Sequence, residues 1–163
     1  MGAPTCVSSI SLIGNTPESV MYGDSNGMVY MILANTTEAF ASRDMLYTDH
    51  THDYVCLHDK HRDWVTKVQH IEDVGLVTAS QDSKIFIFDV NRDGVMQEVS
   101  HHAKGVHDFA YCRPYSLFAS ASERSILLWQ AQTGRLISEL SGHTAVVSAL
   151  AVDNECAHST PSL

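Results

Sequence analysis

Residues 50–61, HTHDYVCLHDKH, form the densest group of side chains that could bind a metal ion. Imidazole nitrogen and thiolate sulfur are good zinc ligands, and histidines at short spacing can share one ion. The candidate ligands are His50, His52, Asp53, Cys56, His58, Asp59 and His61. However, residues 55–58 have the pattern of an outer β-strand, in which adjacent side chains point to opposite faces and cannot converge on one ion. We therefore predict no metal site in this segment.

A second candidate site is residues 89–100, DVNRDGVMQEVS, which partly matches the calcium loop of an EF-hand. Oxygen-bearing side chains occupy the first three ligand positions, and Gly94 occupies the position of the sharp turn. Ser100 stands where a bidentate glutamate should close the coordination shell, and the preceding KIFIF run predicts a strand rather than a helix. We interpret the segment as a polar turn between two strands.

Composition and charge exclude several classes of function. The 163 residues are 44% hydrophobic and 18% charged, which is typical of a globular domain. The ten lysines and arginines are scattered along a chain of net charge −9, so we expect no nucleic-acid partner. The longest apolar run, residues 28–34, is too short to span a bilayer, and we expect no membrane partner.

Cysteine spacing and the lack of enzyme motifs narrow the prediction further. The four cysteines are far apart and include no CxxC pair, which favours free thiols in a reducing compartment, and we predict a cytoplasmic protein. The sequence contains no nucleophile elbow, no P-loop and no dinucleotide fingerprint. We therefore predict no catalytic residues and no cofactor.

A period of 41 residues runs through the chain. The repeated histidines are His61, His102 and His143, and each is followed four residues later by a valine. Residues 76–89 and 117–130 match without a gap: an apolar run, small residues, a short polar turn and a second apolar run. This pattern predicts a β-hairpin in each copy. Residues 19–32 form a looser third copy, and residues 142–152 begin a fourth.

These features resemble WD repeats, the units of β-propellers. The residues that carry the resemblance are the Gly142-His143 pair, the polar turn around Asp82, and Trp129 at the end of a predicted third strand. The resemblance covers about residues 6–152, and repeats of about 40 residues with four short strands agree with the family. It implies an all-β protein, an incomplete β-propeller of about three four-stranded blades plus one strand of a fourth.

The resemblance makes residues 1–163 a single domain. Blade 1 covers about residues 6–60 with an inserted loop at 36–52, blade 2 residues 61–101, blade 3 residues 102–141, partial blade 4 residues 142–152, and a tail residues 153–163. The sequence after Asp153 continues none of the strand pattern. The expectation is therefore a truncated or partial form of a longer WD-repeat protein.

In this family a hydrogen-bonded set of His, Ser or Thr, Asp and Trp latches each blade, and the resemblance carries that role to matching residues here. The second blade offers His61, Ser80 or Thr78, Asp82 and Phe88; the third offers His102, Ser120 or Ser122, Glu123 and Trp129; His143 opens the fourth. Phenylalanine donates no hydrogen bond, so the latch at Phe88 should lack one polar contact.

The resemblance implies a non-catalytic protein-interaction scaffold that mediates assembly of multiprotein complexes. The alternative is a metal-dependent propeller enzyme that uses the cluster at 50–61. The insertion at 36–52 is the best candidate contact loop, because long extra loops in compact domains are usually functional or disordered. Its apolar contact residues are Phe40, Met45, Leu46 and Tyr47. The last strand, 146–152, should leave an open edge on which a second copy or another propeller docks.

Overall fold

The computed structural model describes residues 2–10, 19–33, 54–89, 95–99 and 102–154. These residues form twelve β-strands and one short 3₁₀ turn, Arg113–Tyr115. Within these ranges there is no α-helix, and hence no helix long and apolar enough to cross a membrane. The all-β prediction is confirmed for this part of the chain.

The strands form three four-stranded antiparallel sheets, each built from consecutive strands. The first sheet contains β1 (Pro4–Ile10), β2 (Ser19–Asp24), β3 (Val29–Leu33) and β4 (Tyr54–His58). The second contains β5 (Val65–Ile71), β6 (Gly75–Ser80), β7 (Ile85–Asp89) and β8 (Val95–Val99). The third contains β9 (Asp108–Cys112), β10 (Leu117–Ala121), β11 (Ser125–Gln130) and β12 (Leu136–Ser141). Residues 90–94 of the calcium-like segment lie outside the described residues, but strands β7 and β8 flank them.

The hairpin between β2 and β3 shows how the sequence closes these turns. The buried carboxylate of Asp24 accepts hydrogen bonds from the N–H groups of Asn26 and Met28, both at 2.9 Å. Gly27 has a φ of +83°, a left-handed conformation that favours glycine. A Cβ at Gly27 would lie 2.3 Å from the carbonyl oxygen of His61. The turn therefore packs directly on the start of the second sheet.

The first strands of successive sheets lie side by side. Thr5 of β1 donates a hydrogen bond to the carbonyl of Val65 in β5, and Thr66 of β5 donates to the carbonyl of Val106 at 2.7 Å. The core around β5 that joins the first two sheets consists of Met21, Val29, Val65, Val68 and Leu76. The core between the second and third sheets includes Val77, Ala79, Ile85, Ile87, Val99, Val106, Phe109, Phe118, Leu127 and Trp129. Each large apolar side chain buried here stabilises the stack by about 1.5–3 kcal/mol.

The second and third sheets follow the 41-residue repeat with one compensated shift. Three residues separate β5 from β6, whereas four separate β9 from β10. The next turn has four residues after β6 and three after β10, so the third strands return to the original spacing. Thr78, paired with Phe86, therefore corresponds to Ser120, paired with Leu127. The match between 76–89 and 117–130 is thus gapless in its second strand and displaced by one residue in its first.

The predicted strand at 146–152 is not a β-strand in the structure. The N–H of Val147 donates to the carbonyl of Glu123 at 3.2 Å, and the N–H of Leu150 donates to Oδ2 of Asp108 at 2.6 Å. The segment thus lies beside β9, where the first strand of a further sheet would stand. A strand ladder needs a neighbouring strand, and the described residues supply none here. The expected strand of a fourth blade is corrected to an extended segment without a ladder.

Candidate functional site

A buried group of polar side chains joins the first and second sheets. His61, which precedes β5, places Nδ1 3.1 Å from a carboxylate oxygen of Asp82 and Nε2 2.9 Å from Oγ1 of Thr78. His58, at the end of β4, places Nε2 3.2 Å from the same Thr78 oxygen. Thr78 comes from β6 and Asp82 from the turn that follows it. We call His58, His61, Thr78 and Asp82 the histidine cluster.

One consistent set of proton positions satisfies the histidine cluster. His61 donates from Nδ1 to Asp82, so its Nε2 accepts the hydroxyl proton of Thr78. The Thr78 oxygen in turn accepts the Nε2–H of His58, whose Nδ1 accepts the N–H of Lys60 at 3.4 Å. A directed chain of hydrogen bonds thus runs from Lys60 to Asp82, and each imidazole donates once and accepts once.

Burial sets the protonation of this cluster. Burial first, and the nearby His61 second, lower the pKa of His58 to about 4, so this imidazole is neutral at neutral pH. Burial by itself would raise the pKa of Asp82, but hydrogen bonds from His61 and from the N–H of Arg62 outweigh it and hold that pKa below its ordinary value. The cluster therefore pairs an ionised carboxylate with a neutral His58 near pH 7.

The third sheet carries a related cluster built around tryptophan. Nε1 of Trp129 donates to Oγ of Ser120 at 2.6 Å, and Nε2 of His102 lies 2.6 Å from the same oxygen. Because the indole can only donate, the Ser120 hydroxyl can give its own proton to His102. The Trp129 ring is 2% exposed and meets the His102 ring at a steep angle, with 5.9 Å between centroids. Ser120 is thus the counterpart of Thr78.

The second sheet places its aromatic residues differently from the expectation. Phe88, which corresponds to Trp129 in the repeat, is half-buried against the core around β5. Phe86 instead packs edge-on against His61, with ring centroids 4.8 Å apart. The aromatic contact to the histidine therefore comes from Phe86, a residue that the sequence analysis did not single out.

His58 is the second residue that sequence reasoning missed. It supplies to Thr78 the hydrogen bond that Trp129 supplies in the third sheet. A sequence signal for it exists, because the position 41 residues later is Val99, an apolar residue that is 5% exposed. A histidine at a position that is apolar in the next repeat indicates a local polar partner.

The remaining predicted latch residues lie outside these two clusters. Ser80 is fully buried and donates to the carbonyl of Asp63 at 2.9 Å. Glu123 forms an exposed ion pair with Lys104 at 3.1 Å, and His143 is exposed. The predicted contact residues Phe40, Met45, Leu46 and Tyr47 lie outside the described residues.

The histidine cluster also bears on the metal hypothesis. The rings of His58 and His61 are 5.7 Å apart, and both turn Nε2 toward the Thr78 hydroxyl rather than toward a shared open point. Within the described ranges, no three His, Cys, Asp or Glu side chains are placed to hold a metal ion. His50 and His52 lie outside those ranges.

Thr78, His61 and Asp82 have the connectivity of a nucleophile, a base and an orienting carboxylate. However, Thr78 is only 1% exposed, and its oxygen already contacts two imidazoles. A substrate carbonyl could reach that oxygen only if the two sheets separated. What this arrangement can do chemically is to tie the β4–β5 connection to β6 and the turn after it.

An exposed tryptophan, Trp64, lies on the short segment between the histidine cluster and β5. Its indole side is 58% exposed, whereas its backbone is held by its neighbours. The Trp64 N–H donates to the Asp63 carboxylate at 2.8 Å, and the Trp64 carbonyl accepts the N–H of Gln81 at 2.9 Å. The N–H of Arg62 donates to Asp82 at 2.9 Å. The segment thus presents an apolar ring from a fixed backbone.

This tryptophan is particular to one repeat. The residues at the same position in the next two repeats are Gly105 and Val146. Trp64 stands at the entry to β5, whereas the exposed Tyr115 lies in the turn after β9, at the opposite end of the first strands. The two exposed aromatic residues therefore belong to opposite faces of the stack.

No family model matches this chain. In structure it is similar to the computationally designed Ika4 protein, with a TM-score of 0.64 and 20% identity over 93% of this chain and 81% of Ika4. It is also similar to the computationally designed Ika8 protein, with a TM-score of 0.63 and 20% identity over 93% of this chain and 40% of Ika8. The chain thus spans less than half of Ika8. At this identity the likeness concerns the fold alone.

Proposed function

We propose that this chain is a WD-type β-propeller module that acts as a non-catalytic protein-interaction scaffold in the cytoplasm. The repeated four-stranded sheets, the adjacent first strands and the buried His–hydroxyl contacts support this proposal. A stack of this kind holds its loops in fixed positions, and recognition is grafted onto such loops. The free thiols of Cys6, Cys56 and Cys112 agree with a reducing compartment.

The single observation that carries the interaction role is the exposed indole of Trp64. Tryptophan is enriched among the residues that dominate binding energy in protein interfaces. Burying the exposed part of this ring on a partner would contribute about 3 kcal/mol. Because hydrogen bonds already fix the backbone of residues 62–64, little conformational entropy is lost on binding.

Charge indicates the kind of partner. The chain has a net charge of −9, and the exposed Asp63 adjoins Trp64. A partner segment with lysine or arginine beside an apolar anchor would match both the ring and the carboxylate. We therefore expect a protein partner whose contacting segment is basic.

The test is quantitative affinity capture from cell extract with the purified chain, its Trp64→Ala variant and its Tyr115→Ala variant. Tyr115 is a matched control, because it is 65% exposed and lies at the opposite end of the first strands. Proteins captured by the parent should fall about tenfold with Trp64→Ala and persist with Tyr115→Ala. Equal recovery on Trp64→Ala would contradict the proposal. Deleting residues 36–52 in the same assay tests the predicted contact loop separately.

A further inference from the structure

The third sheet has an apolar face that lacks the cover its counterpart has in the second sheet. In the second sheet, Ile85, Ile87 and Val99 face the third sheet and are at most 6% exposed. The residues 41 positions later are Ile126, Leu128 and Leu140. Ile126 and Leu128 are half-buried, and Leu140 is 47% exposed. We call Ile126, Leu128 and Leu140 the outer face.

Strand register places these three residues on one side of the third sheet. Leu127 and Trp129 belong to the core toward the second sheet. Because side chains alternate along a strand, Ile126 and Leu128 point the other way. Leu140 of β12 pairs directly with Ile126, so it extends the same face to the outer edge of the sheet. The outer face is therefore contiguous.

Only the inner margin of the outer face is covered within the described residues. The segment at 142–154 lies beside β9 through the N–H groups of Val147 and Leu150. Val146 of that segment is itself 55% exposed and adds to the apolar surface. Leu140, on the far edge, stays open to solvent.

The occupant must be argued from the faces that this chain offers. Sheet-on-sheet packing covers the equivalent surface of the second sheet. The first sheet does not offer a bare face for head-to-tail addition, because Tyr30, on its side opposite Val29, is 4% exposed and stacks on Tyr22 at 5.1 Å. An identical outer face is the matching apolar surface, and self-complementary contacts about a twofold axis are the commonest in homo-oligomers.

We propose that the outer face packs against the outer face of a second copy of this chain, forming a twofold-symmetric dimer. Two apolar sheet faces of this kind pack about 10 Å apart with interdigitating side chains. The positions on this side of β10, β11 and β12 include Ala119, Ala121, Ile126, Leu128, Ser138 and Leu140. None of them is charged, so two chains of net charge −9 meet without like charges at the contact.

The test is analytical ultracentrifugation of the purified full chain across concentrations from about 1 to 100 µM. The parent should sediment as a dimer at the upper end, and Leu140→Glu should weaken the dimer at least about tenfold. Ile137→Glu is the matched control, because Ile137 is 49% exposed on the same strand but shares the face of Glu139, which pairs with Leu127 toward the second sheet. Thermal melts confirm that both variants fold.

Two outcomes overturn the proposal. A parent that sediments as a monomer at every concentration excludes the dimer. Equal dissociation by Leu140→Glu and Ile137→Glu excludes the outer face as its contact. The proposal does not rest on Trp64, which lies on the segment before β5, so the dimer and the partner-capture experiments can fail independently.

Discussion

His58 reaches from the first sheet to Thr78 of the second, with its Nε2 3.2 Å from the Thr78 oxygen. One repeat later, valine stands at the position of His58, and the oxygen of Ser120 receives the indole N–H of Trp129 instead. Donors from two different strands thus satisfy equivalent hydroxyl groups. A buried oxygen without a donor is costly in a low-dielectric interior, so the loss of one donor requires another.

Replacing His58 by valine, the residue of the next repeat, should flatten the pH dependence of stability. The pKa of His58 falls from 6.5 to about 4 on folding, so the unfolded chain binds more protons between those values. Stability from this group is present above pH 6.5 and is lost as the pH falls toward 4. The parent should lose about 2 kcal/mol of unfolding free energy through this group between pH 7 and pH 5. Urea unfolding at both pH values checks this, and equal pH slopes in parent and His58→Val would contradict it.

Substitutions at Trp129 should separate packing from hydrogen bonding. Trp129→Ala should lower the free energy of unfolding by about 3–5 kcal/mol, because it leaves a large cavity. Trp129→Phe should lower it by about 1–2 kcal/mol, because the ring is mostly kept while Ser120 loses its donor. Trp64→Phe, at an exposed indole, is the control and should change little. A Trp129→Ala variant that melts like the parent would show that the 41-residue register is misassigned.

Adding a methyl group at Gly23 should disrupt the contact between the first two sheets. A Cβ there would lie 2.4 Å from the Cβ of Val65, which is fully buried in β5. Gly23→Ala should destabilise the chain by about 1–3 kcal/mol through overpacking. The same change in a Val65→Ala background should be less damaging, because the space is then open. A double-mutant cycle measures this coupling, and additive effects would refute the contact.

The carboxylate of Asp108 should control the segment at 142–154. Its Oδ1 accepts from Nζ of Lys67 at 2.6 Å, and its Oδ2 accepts from the N–H of Leu150 at 2.6 Å. Asp108→Ala should therefore speed hydrogen exchange at the Leu150 amide by about tenfold or more. Lys67→Met, which leaves the carboxylate in place, is the control. Unchanged exchange in Asp108→Ala would mean that this hydrogen bond does not hold the segment.

Local patterns in the sequence were enough to predict the all-β class and the positions of the hairpins. Residues 76–89 and 117–130 each form two paired strands, as the alternation of apolar runs and polar turns indicates. The valine that follows each repeated histidine is buried in every case: Val65, Val106 and Val147. These features depend on residues that are close in sequence, so a single chain reveals them.

Tertiary structure alone decided which side chains meet in the buried clusters. One extra residue before β10 and one fewer after it move Ser120 into the place of Thr78, a compensation that the gapless sequence match conceals. A shift of one residue in a strand moves side chains to the opposite face, so the choice of Thr78 over Ser80 could not be made from spacing. The role of His58 depends on packing between two sheets. The lack of a ladder at 146–152 likewise depends on a neighbouring strand, and a segment's own sequence cannot provide its pairing partner.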